Sequence, residues 1–165
     1  MAAAVHGYPR SSIGLNDYLP KTEGDADTKH THLVVSPYTT LPHLLDLTTV
    51  DISCQLLARA LTIMDAVRED YATAPYLESF NWPHVIDRLR ALAKLEGYRW
   101  TERSFYVVVF RSRLIAGVDR TNLGALDELA HREATSSGGL LKYWYGRPDE
   151  NRRNLATCTC LRTGK

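Results

Sequence analysis

A chain of 165 residues, with 44% apolar and 24% charged side chains, has the composition of one globular domain. Its 20 basic and 19 acidic side chains give a formal net charge of +1, without the basic excess expected of a protein that binds nucleic acid. No apolar run reaches the roughly 20 residues that span a bilayer, and residues 1–7 lack the pattern of a secretory signal, so no membrane partner is expected.

The start of the chain divides into an arm and the beginning of a folded domain. Residues 1–30 are polar, rich in turn-forming residues and without hydrophobic periodicity, which predicts a disordered arm. Residues 31–165 are predicted to form a single α+β domain, which begins with a short strand at residues 32–36 and a break at Pro37.

Two helices are predicted next. In the first, capped by Asp51 or Ser53, apolar residues recur at three- and four-residue steps as far as Tyr71. The second carries Pro83 in its first turn, where the missing N–H costs nothing, and ends at Gly97, a residue type that favours helix ends. These helices form an N-terminal helical extension of the sheet that follows.

The second half of the domain is predicted to contain a strand, a helix and two further strands. The run at residues 104–110 is continuous, β-branched and aromatic, which indicates a strand covered on both faces. A helix capped by Asp119 follows, and strands are predicted at residues 140–145 and 154–158. The apolar stripe of this helix consists of Leu123, Leu126, Ala130 and Ala134.

This order of elements matches the first two thirds of a split βαβ, ferredoxin-like unit. A second helix and a last strand would complete such a unit, but the residues after Cys158 show no apolar periodicity. The α+β fold is therefore predicted to be incomplete at its C-terminal end, as a truncated or alternatively spliced product would be.

Three stretches resemble a fungal family of uncharacterised proteins, namely residues 98–113, 126–146 and 154–158. The likeness extends over residues 33–158, and the family has no established activity. In that family the last strand leads into another helix and a final strand, a pattern from which this chain departs after Cys158. The resemblance implies the fold of the small dimeric α/β barrels, which include heme-degrading and polyketide-tailoring enzymes, and with it a homodimer. A role in fungal specialised (secondary) metabolism rests on this resemblance alone.

An acetyltransferase-like α/β domain is the alternative fold. Acetyl-CoA-dependent acetyltransferases place an Arg/Gln-x-x-Gly-x-Gly/Ala turn between a strand and a helix, where backbone amides hold the pyrophosphate. Residues 120–125 lie between a predicted strand and a helix, with Arg120 and Gly124 near the required positions. The spacing is off by one and only one glycine is present, so the motif is degenerate.

Aromatic residues on two predicted strands indicate a ligand pocket. Strand alternation places Tyr106 on one face and Arg111 on the other, while Tyr143 and Tyr145 share a face of the next strand. Amphipathic rings and a strand-end arginine typically line sites for small aromatic or acidic ligands, so all four are candidate ligand-binding residues. The same residue types also occur in half-buried sheets and dimer interfaces.

His131 is the candidate catalytic residue. Helical spacing places it beside Asp127 and Glu128, which would raise its pKa and orient it as a general base. The alternative interpretation is a histidine on the polar face of the helix. His30 and His32 would lie on one side of a strand, but without further ligands they predict no metal site, and no cofactor is expected.

The three cysteines indicate a cellular compartment but no particular reaction. Three cysteines do not make a disulfide framework, which favours a reducing, cytoplasmic compartment. Cys158 and Cys160 lie on one side of an extended chain, a spacing that is weak for zinc and poor for a disulfide. Both are therefore interpreted as bystanders.

Three hypotheses of different classes follow. The chain binds or transforms a small molecule, or it is a non-catalytic dimerisation or accessory protein, or it is an acetyl-CoA-dependent N-acetyltransferase-like protein. A catalytic pocket predicts that His131, Arg111, Tyr143 and Tyr145 face one shared cavity. An acetyltransferase predicts that the backbone amides of residues 121–125 are open to solvent beside splayed strands. A purely associative role predicts a broad apolar sheet face with no concavity.

Overall fold

The structure, a computed structural model, describes residues 31–161. The predictions for residues 1–30 and 162–165 lie outside this range. Within it, the chain is a mixed α+β fold with two small antiparallel sheets and four helices. None of the helices in the described range combines the length and the hydropathy needed to cross a membrane.

The first sheet has two short strands. β1 (His32–Leu33) pairs antiparallel with β2 (Leu45–Asp46). Single 3-10 turns at Leu41–His43 and Leu47–Thr49 flank β2. The strand predicted at residues 32–36 is therefore too long, because β2 offers ladder partners to only its first part.

Three helices follow, two of them with the predicted caps. They are α1 (Ile52–Leu61), α2 (Tyr76–Ser79) and α3 (Trp82–Leu95). The Asp51 side chain accepts a hydrogen bond from the Cys54 amide and caps α1, which confirms the predicted start of this helix. α3 has Pro83 in its first turn and ends just before Gly97, whose φ of +61° suits glycine.

α1 ends earlier than the apolar spacing predicts. The pattern continues to Tyr71, but the helix ends at Leu61. Asn81 holds the next segment in a different conformation, because its side-chain amide donates to the Ile63 carbonyl at 2.8 Å and its side-chain oxygen accepts from the Asp65 amide at 2.9 Å. A side-chain contact from a distant part of the chain thus overrides the local helical preference.

The second sheet contains three antiparallel strands. Its elements are β3 (Phe105–Arg113), α4 (Arg120–Ser136), β4 (Leu140–Tyr145) and β5 (Arg153–Leu161). β5 lies in the centre and pairs antiparallel with β3 and with β4. β3 and β4 therefore run in the same direction, and α4 connects them. The predicted order of elements is correct, although β5 continues past Cys158 to Leu161.

One face of this sheet packs on α1 and α3 and forms the main core. Leu141 and Leu155 of the sheet are fully buried in one cluster with Leu61 of α1 and Val85 of α3. Each such side chain contributes about 1.5–3 kcal/mol to stability when it is removed from water. This packing fixes the sheet and leaves its second face for α4.

β3 is an exposed edge strand, which contradicts the predicted cover on both faces. Within residues 31–161, no strand pairs with its outer edge. Tyr106, Val108 and Phe110 are 54%, 39% and 54% exposed. The β-branched and aromatic run correctly indicates a strand, but burial depends on what packs against it, and only β5 borders β3 in the described range.

Candidate functional site

A cavity of about 370 Å³ lies between α4 and the second face of the three-stranded sheet. Its apolar wall is formed by Phe110, Ala130, Ala134, Leu140 and Ala156. Its polar wall is formed by Asp127, His131, Tyr143, Cys158 and Cys160. A mostly apolar space of this volume with a few converging polar groups is typical of a small-molecule site.

His131 is buried in the wall of this cavity and is only 4% exposed. The alternative interpretation of a histidine on a polar helix face is therefore wrong. The 3-10 turn Leu41–His43, with Pro42 in its first turn, packs against α4 and covers the imidazole. The rings of His43 and Tyr38 lie 5.1 and 5.0 Å from the His131 ring, centroid to centroid.

The hydrogen bonds around His131 assign its tautomer. Its Nδ1 lies 2.9 Å from His43 Nδ1 and 3.4 Å from Thr135 Oγ1. The Thr135 hydroxyl donates to the His131 carbonyl at 2.9 Å, so its oxygen can only accept at Nδ1. His43 Nε2 faces the Glu128 carboxylate at 3.5 Å, which favours a proton on that nitrogen and leaves His43 Nδ1 as an acceptor. Both contacts place the proton of neutral His131 on Nδ1 and its lone pair on Nε2.

The Nε2 atom of His131 is buried and has no hydrogen-bond partner within residues 31–161. An unpaired buried acceptor costs about 1–3 kcal/mol, so such atoms in folded proteins call for an explanation. Burial, and then the neighbouring His43, lower the pKa of His131 more than Asp127 raises it. The predicted rise in this pKa is therefore wrong, and the imidazole is neutral near pH 7.

Two tyrosines hold the Asp127 carboxylate in place. The Tyr38 hydroxyl donates to Oδ2 at 2.6 Å, and the Tyr143 hydroxyl donates to Oδ1 at 2.5 Å. Burial, followed by the hydrogen bond to Asp127, raises the pKa of both hydroxyls well above the ordinary value. Both tyrosines therefore stay protonated, and each oxygen of the Asp127 side chain is already engaged by one donor.

β5 brings both C-terminal thiols into the cavity wall, a placement that their interpretation as bystanders does not anticipate. Cys160 Sγ lies 3.7 Å from Cys158 Sγ and donates to it. This contact lowers the pKa of Cys158 and raises the pKa of Cys160. In the part of the chain that the structure describes, no group of three His, Cys, Asp or Glu side chains is placed to hold a metal ion.

The structure brings together some of the predicted site residues. His131 and Tyr143 line the cavity, with ring centroids 5.4 Å apart. The Tyr145 ring contacts the Tyr143 ring in a tilted arrangement, with centroids 5.8 Å apart, but it lines a second, more open depression of about 490 Å³. Tyr106 lies on the cavity side of the sheet, since it pairs with Cys160, but it is exposed and not part of the wall.

Arg111 lies on the opposite face of the sheet. Its guanidinium donates to the backbone carbonyls of Ala72 at 2.5 Å and Ala74 at 2.6 Å. It holds the loop before α2 against β3 and does not reach the cavity. The expectation that His131, Arg111 and the two tyrosines share one cavity is therefore met only by His131 and Tyr143.

Tyr38 and His43 are not among the predicted site residues. They lie 89 and 88 residues before their partners on α4, so no local spacing connects them with the site. Cys158 and Cys160 did give a local signal, because alternate residues of a strand share one face. Strand alternation shows that the two thiols lie on the same face of β5, but it does not show that this face lines a cavity.

The first turn of α4 does not offer free amides to a cofactor. The Asp119 carboxylate accepts from the Thr121 amide at 2.9 Å and from the Asn122 amide at 3.1 Å. β3 and β5 are paired from Phe105 to Arg113 without splaying. Both observations argue against the acetyltransferase-like alternative.

Comparison with known proteins gives a family but no activity. A family model described as PB2B2.08-like matches residues 34–161, which include every residue of the cavity wall. The chain is 39% identical over 132 residues to the UPF0643 protein PB2B2.08 of Schizosaccharomyces pombe, in an alignment that covers 74% of this chain and 59% of that protein. The chain thus spans about three fifths of the length of this relative. No solved structure matches the chain.

Proposed function

The chain belongs to the PB2B2.08-like family, and we propose that this member binds a small molecule in the cavity between α4 and the sheet. The resemblance to a fungal family is confirmed, but neither the family description nor the relative's name states an activity. The proposal is therefore supported by the cavity itself.

The observation that carries the proposal is the unpaired Nε2 of His131. His131 lines the cavity, and its Nε2 is a buried hydrogen-bond acceptor that lacks a donor within residues 31–161. A bound molecule that supplies an N–H or O–H would remove this deficit. The remaining wall is apolar and aromatic, with Phe110 and Leu140 on opposite strands of the sheet.

The ligand is accordingly a small, largely apolar molecule with one hydrogen-bond donor. If the donor is acidic, the neutral imidazole of His131 can accept its proton as a general base, because burial lowers its pKa and keeps the ring unprotonated. An enzymatic function would then use His131 as the general base, with the Asp127 side chain on the same wall of the cavity.

A matched pair of aromatic probes tests this function. 2-Naphthol carries a donor hydroxyl, and 2-methoxynaphthalene has the same ring system without a donor. We expect 2-naphthol to bind at least about five-fold more tightly, the effect of one net hydrogen bond of about 1 kcal/mol. Isothermal titration calorimetry measures both dissociation constants.

Two variants control this measurement. His131→Phe keeps an aromatic ring but removes the acceptor, so it is expected to abolish the preference for 2-naphthol. His84→Asn changes an exposed histidine on α3 and is expected to leave the preference intact. Equal affinity of both probes for the unmodified chain, or an unchanged preference in His131→Phe, would overturn the proposal.

The exposed edge of β3 supports a second candidate function, association with a second copy of the chain. Tyr106, Val108 and Phe110 form an apolar row on a strand with a free edge in the described range. Antiparallel pairing of two such strands about Val108 would place Tyr106 of each copy opposite Phe110 of the other, and cross-strand aromatic pairs are stabilising. An unprotected apolar edge is a typical site of strand pairing.

Oligomeric state tests this second candidate. We expect the chain to be a dimer by light scattering after size exclusion, and Val108→Lys to shift it to a monomer because a charge on the edge opposes pairing. Val67→Lys, at another exposed valine, is the control that should remain a dimer. A monomeric unmodified chain, or a dimeric Val108→Lys variant, would contradict pairing through β3.

The finer predictions made from the sequence belong to the same proposal. β5 between two strands of one direction, joined by α4, supports the ferredoxin-like split βαβ arrangement. A cytoplasmic location and a place in fungal specialised metabolism stay predictions.

A further inference from the structure

The thiols of the cavity have no part in the ligand-binding function proposed above. Cys158 and Cys160 reach the cavity from alternate positions of β5. The third cysteine, Cys54, is completely buried at the start of α1, and burial raises its pKa to about 11. Thiol chemistry is therefore concentrated where a small molecule would sit.

We propose that Cys158 is a nucleophile that captures a small apolar electrophile of the α,β-unsaturated carbonyl class in this cavity. The proposal rests on the proposed function, since the electrophile would occupy the same space as the reversible ligand. Two observations support it, the paired thiols on β5 and the mostly apolar cavity that both of them line.

The geometry of the thiol pair selects Cys158 over Cys160. Cys160 Sγ donates to Cys158 Sγ across 3.7 Å, and a backbone hydrogen bond at Val108 adds to this support. Negative charge is thereby stabilised on Cys158, whereas Cys160 is held as the protonated donor. Cys158 is half-buried, so it is reachable from the cavity without unfolding of the sheet.

The reaction balances without an oxidant or a reductant. The Cys158 thiolate attacks the β-carbon of the electrophile, a C–S bond forms, and the C=C π bond breaks as its electron pair moves onto the carbonyl oxygen. The thiol proton leaves to solvent as the thiolate forms, and a proton from solvent adds to the α-carbon, which converts the enolate to the ketone. The net change is addition of S–H across the double bond.

The cavity wall favours this substrate class. Phe110, Leu140 and Ala156 provide an apolar lining for a soft, poorly hydrated electrophile. The Asp127 carboxylate on the same wall disfavours anionic electrophiles.

N-phenylmaleimide, an apolar α,β-unsaturated dicarbonyl, is the probe for this proposal. Intact-protein mass spectrometry with peptide mapping follows its addition to the full chain at pH 7. We expect a fast phase of one adduct, on Cys158, at least about three-fold faster than the same thiol reacts in the urea-unfolded chain. In the folded chain, more of Cys158 is thiolate at pH 7, which raises the rate, but a thiolate of lower pKa is a weaker nucleophile, which lowers it; the expected factor is the net of these two effects. Cys54 should remain unmodified in the folded chain.

Variants separate the two thiols. Cys158→Ser is expected to lose the fast phase. Cys160→Ala removes the donor, so the pH at which the Cys158 rate is half-maximal should rise toward that of an ordinary thiol. Cys54→Ser, at the buried thiol, is the matched control that keeps the fast phase. Labelling of Cys158 no faster than in the unfolded chain, or an unchanged pH profile in Cys160→Ala, would overturn the proposal.

The outcomes also distinguish this proposal from the one on which it rests. Protection of Cys158 by 2-naphthol is expected if both use one cavity. Binding of 2-naphthol with ordinary thiol reactivity would remove only the nucleophile. Fast labelling of Cys158 with no selective 2-naphthol binding would remove only the reversible ligand site.

Discussion

Asp127 and His131 lie one helical turn apart on α4, yet they form hydrogen bonds with different residues. Asp127 accepts from Tyr38 and Tyr143, whereas His131 meets His43 and Thr135. Burial, and then His43, lower the pKa of His131 more than the aspartate raises it. This division leaves a neutral imidazole beside an occupied carboxylate.

The two tyrosine hydroxyls are expected to stabilise the fold through Asp127. Tyr38→Phe and Tyr143→Phe should each lower the free energy of unfolding by about 1.5 kcal/mol, as for a hydrogen bond to a charged group. Since both donors share one acceptor, the double variant should not be additive. Urea unfolding monitored by fluorescence gives the values. Tyr106→Phe, at an exposed tyrosine, is the control and should change the free energy little.

Individual site residues were predictable only where local spacing carried the information. His131 could be selected from its helical spacing to Asp127 and Glu128, and Tyr143 from strand alternation, and both line the cavity. Their partners Tyr38 and His43 could not, because a contact across more than 80 residues depends on how the 3-10 turn docks on α4.

α1 provides a test of capping at the level of one element. Asp51 accepts from the Cys54 amide and the Ser53 hydroxyl and forms an ion pair with Arg103 at 2.6 Å. Burial raises the pKa of its carboxyl, but these hydrogen bonds outweigh burial and hold the pKa well below the ordinary value. The carboxylate is thus charged at the positive end of the helix.

Asp51→Ala is expected to lower the free energy of unfolding by about 1–2 kcal/mol, the usual cost of losing an N-cap. The ion pair adds little because both partners are more than a third exposed. The matched control is Asp87→Ala on α3, whose only ion pair in the described range is an exposed one with Arg90. A loss in Asp51→Ala no larger than in this control, measured by urea unfolding, would contradict the capping role.

α4 allows the cavity to be filled without touching its polar groups. Ala130→Leu places extra volume in the cavity wall and is expected to weaken 2-naphthol binding about ten-fold or more, because ligand and side chain would overlap. Ala125→Leu on the same helix lies outside the wall and should leave the affinity unchanged. Calorimetric titration of both variants makes the comparison, and equal affinities would place the ligand elsewhere.

The elements themselves were largely predictable, and the failures have physical causes. The caps at Asp51 and Asp119 and the proline of α3 are local signals, and each marks a helix start in the structure. The length of α1 was not predictable, because Asn81 fixes the backbone after Leu61 from a distance. The exposure of β3 was not predictable either, because residue type indicates a strand but not its neighbours.

Taken as a whole, the molecule uses the two faces of its main sheet differently. One face packs against α1 and α3 in the core, and the other packs against α4 and borders the cavity. β3 forms one edge of the sheet, which is unpaired within the described residues. The chain spans about three fifths of its Schizosaccharomyces pombe relative. The proposed ligand site and the proposed association surface thus involve the same side of the sheet.

The stability of the whole molecule should depend on pH through His131. Its native pKa lies below 6.5, so the unfolded chain binds more protons as the pH falls below that value, and stability decreases toward the native pKa. In a titration from about pH 8 to about pH 5, the free energy of unfolding should begin to fall at pH 6.5. Below that pH it should fall by up to about 1.4 kcal/mol for each pH unit. His131→Phe should flatten this step in urea unfolding curves, and His84→Asn should not. If the loss of stability at low pH persists in His131→Phe, it arises from the titration of another group.

The most direct test of the ligand site is the protonation state of His131 observed by NMR. Two-bond ¹H–¹⁵N correlations of the imidazole at pH 7 report which nitrogen carries the proton. The expected result is a neutral ring protonated on Nδ1, with an unprotonated Nε2 whose ¹⁵N resonance shifts when 2-naphthol donates to it. A ring protonated on Nε2, or an Nε2 resonance that does not respond to saturating 2-naphthol, would contradict a small-molecule site built on this atom.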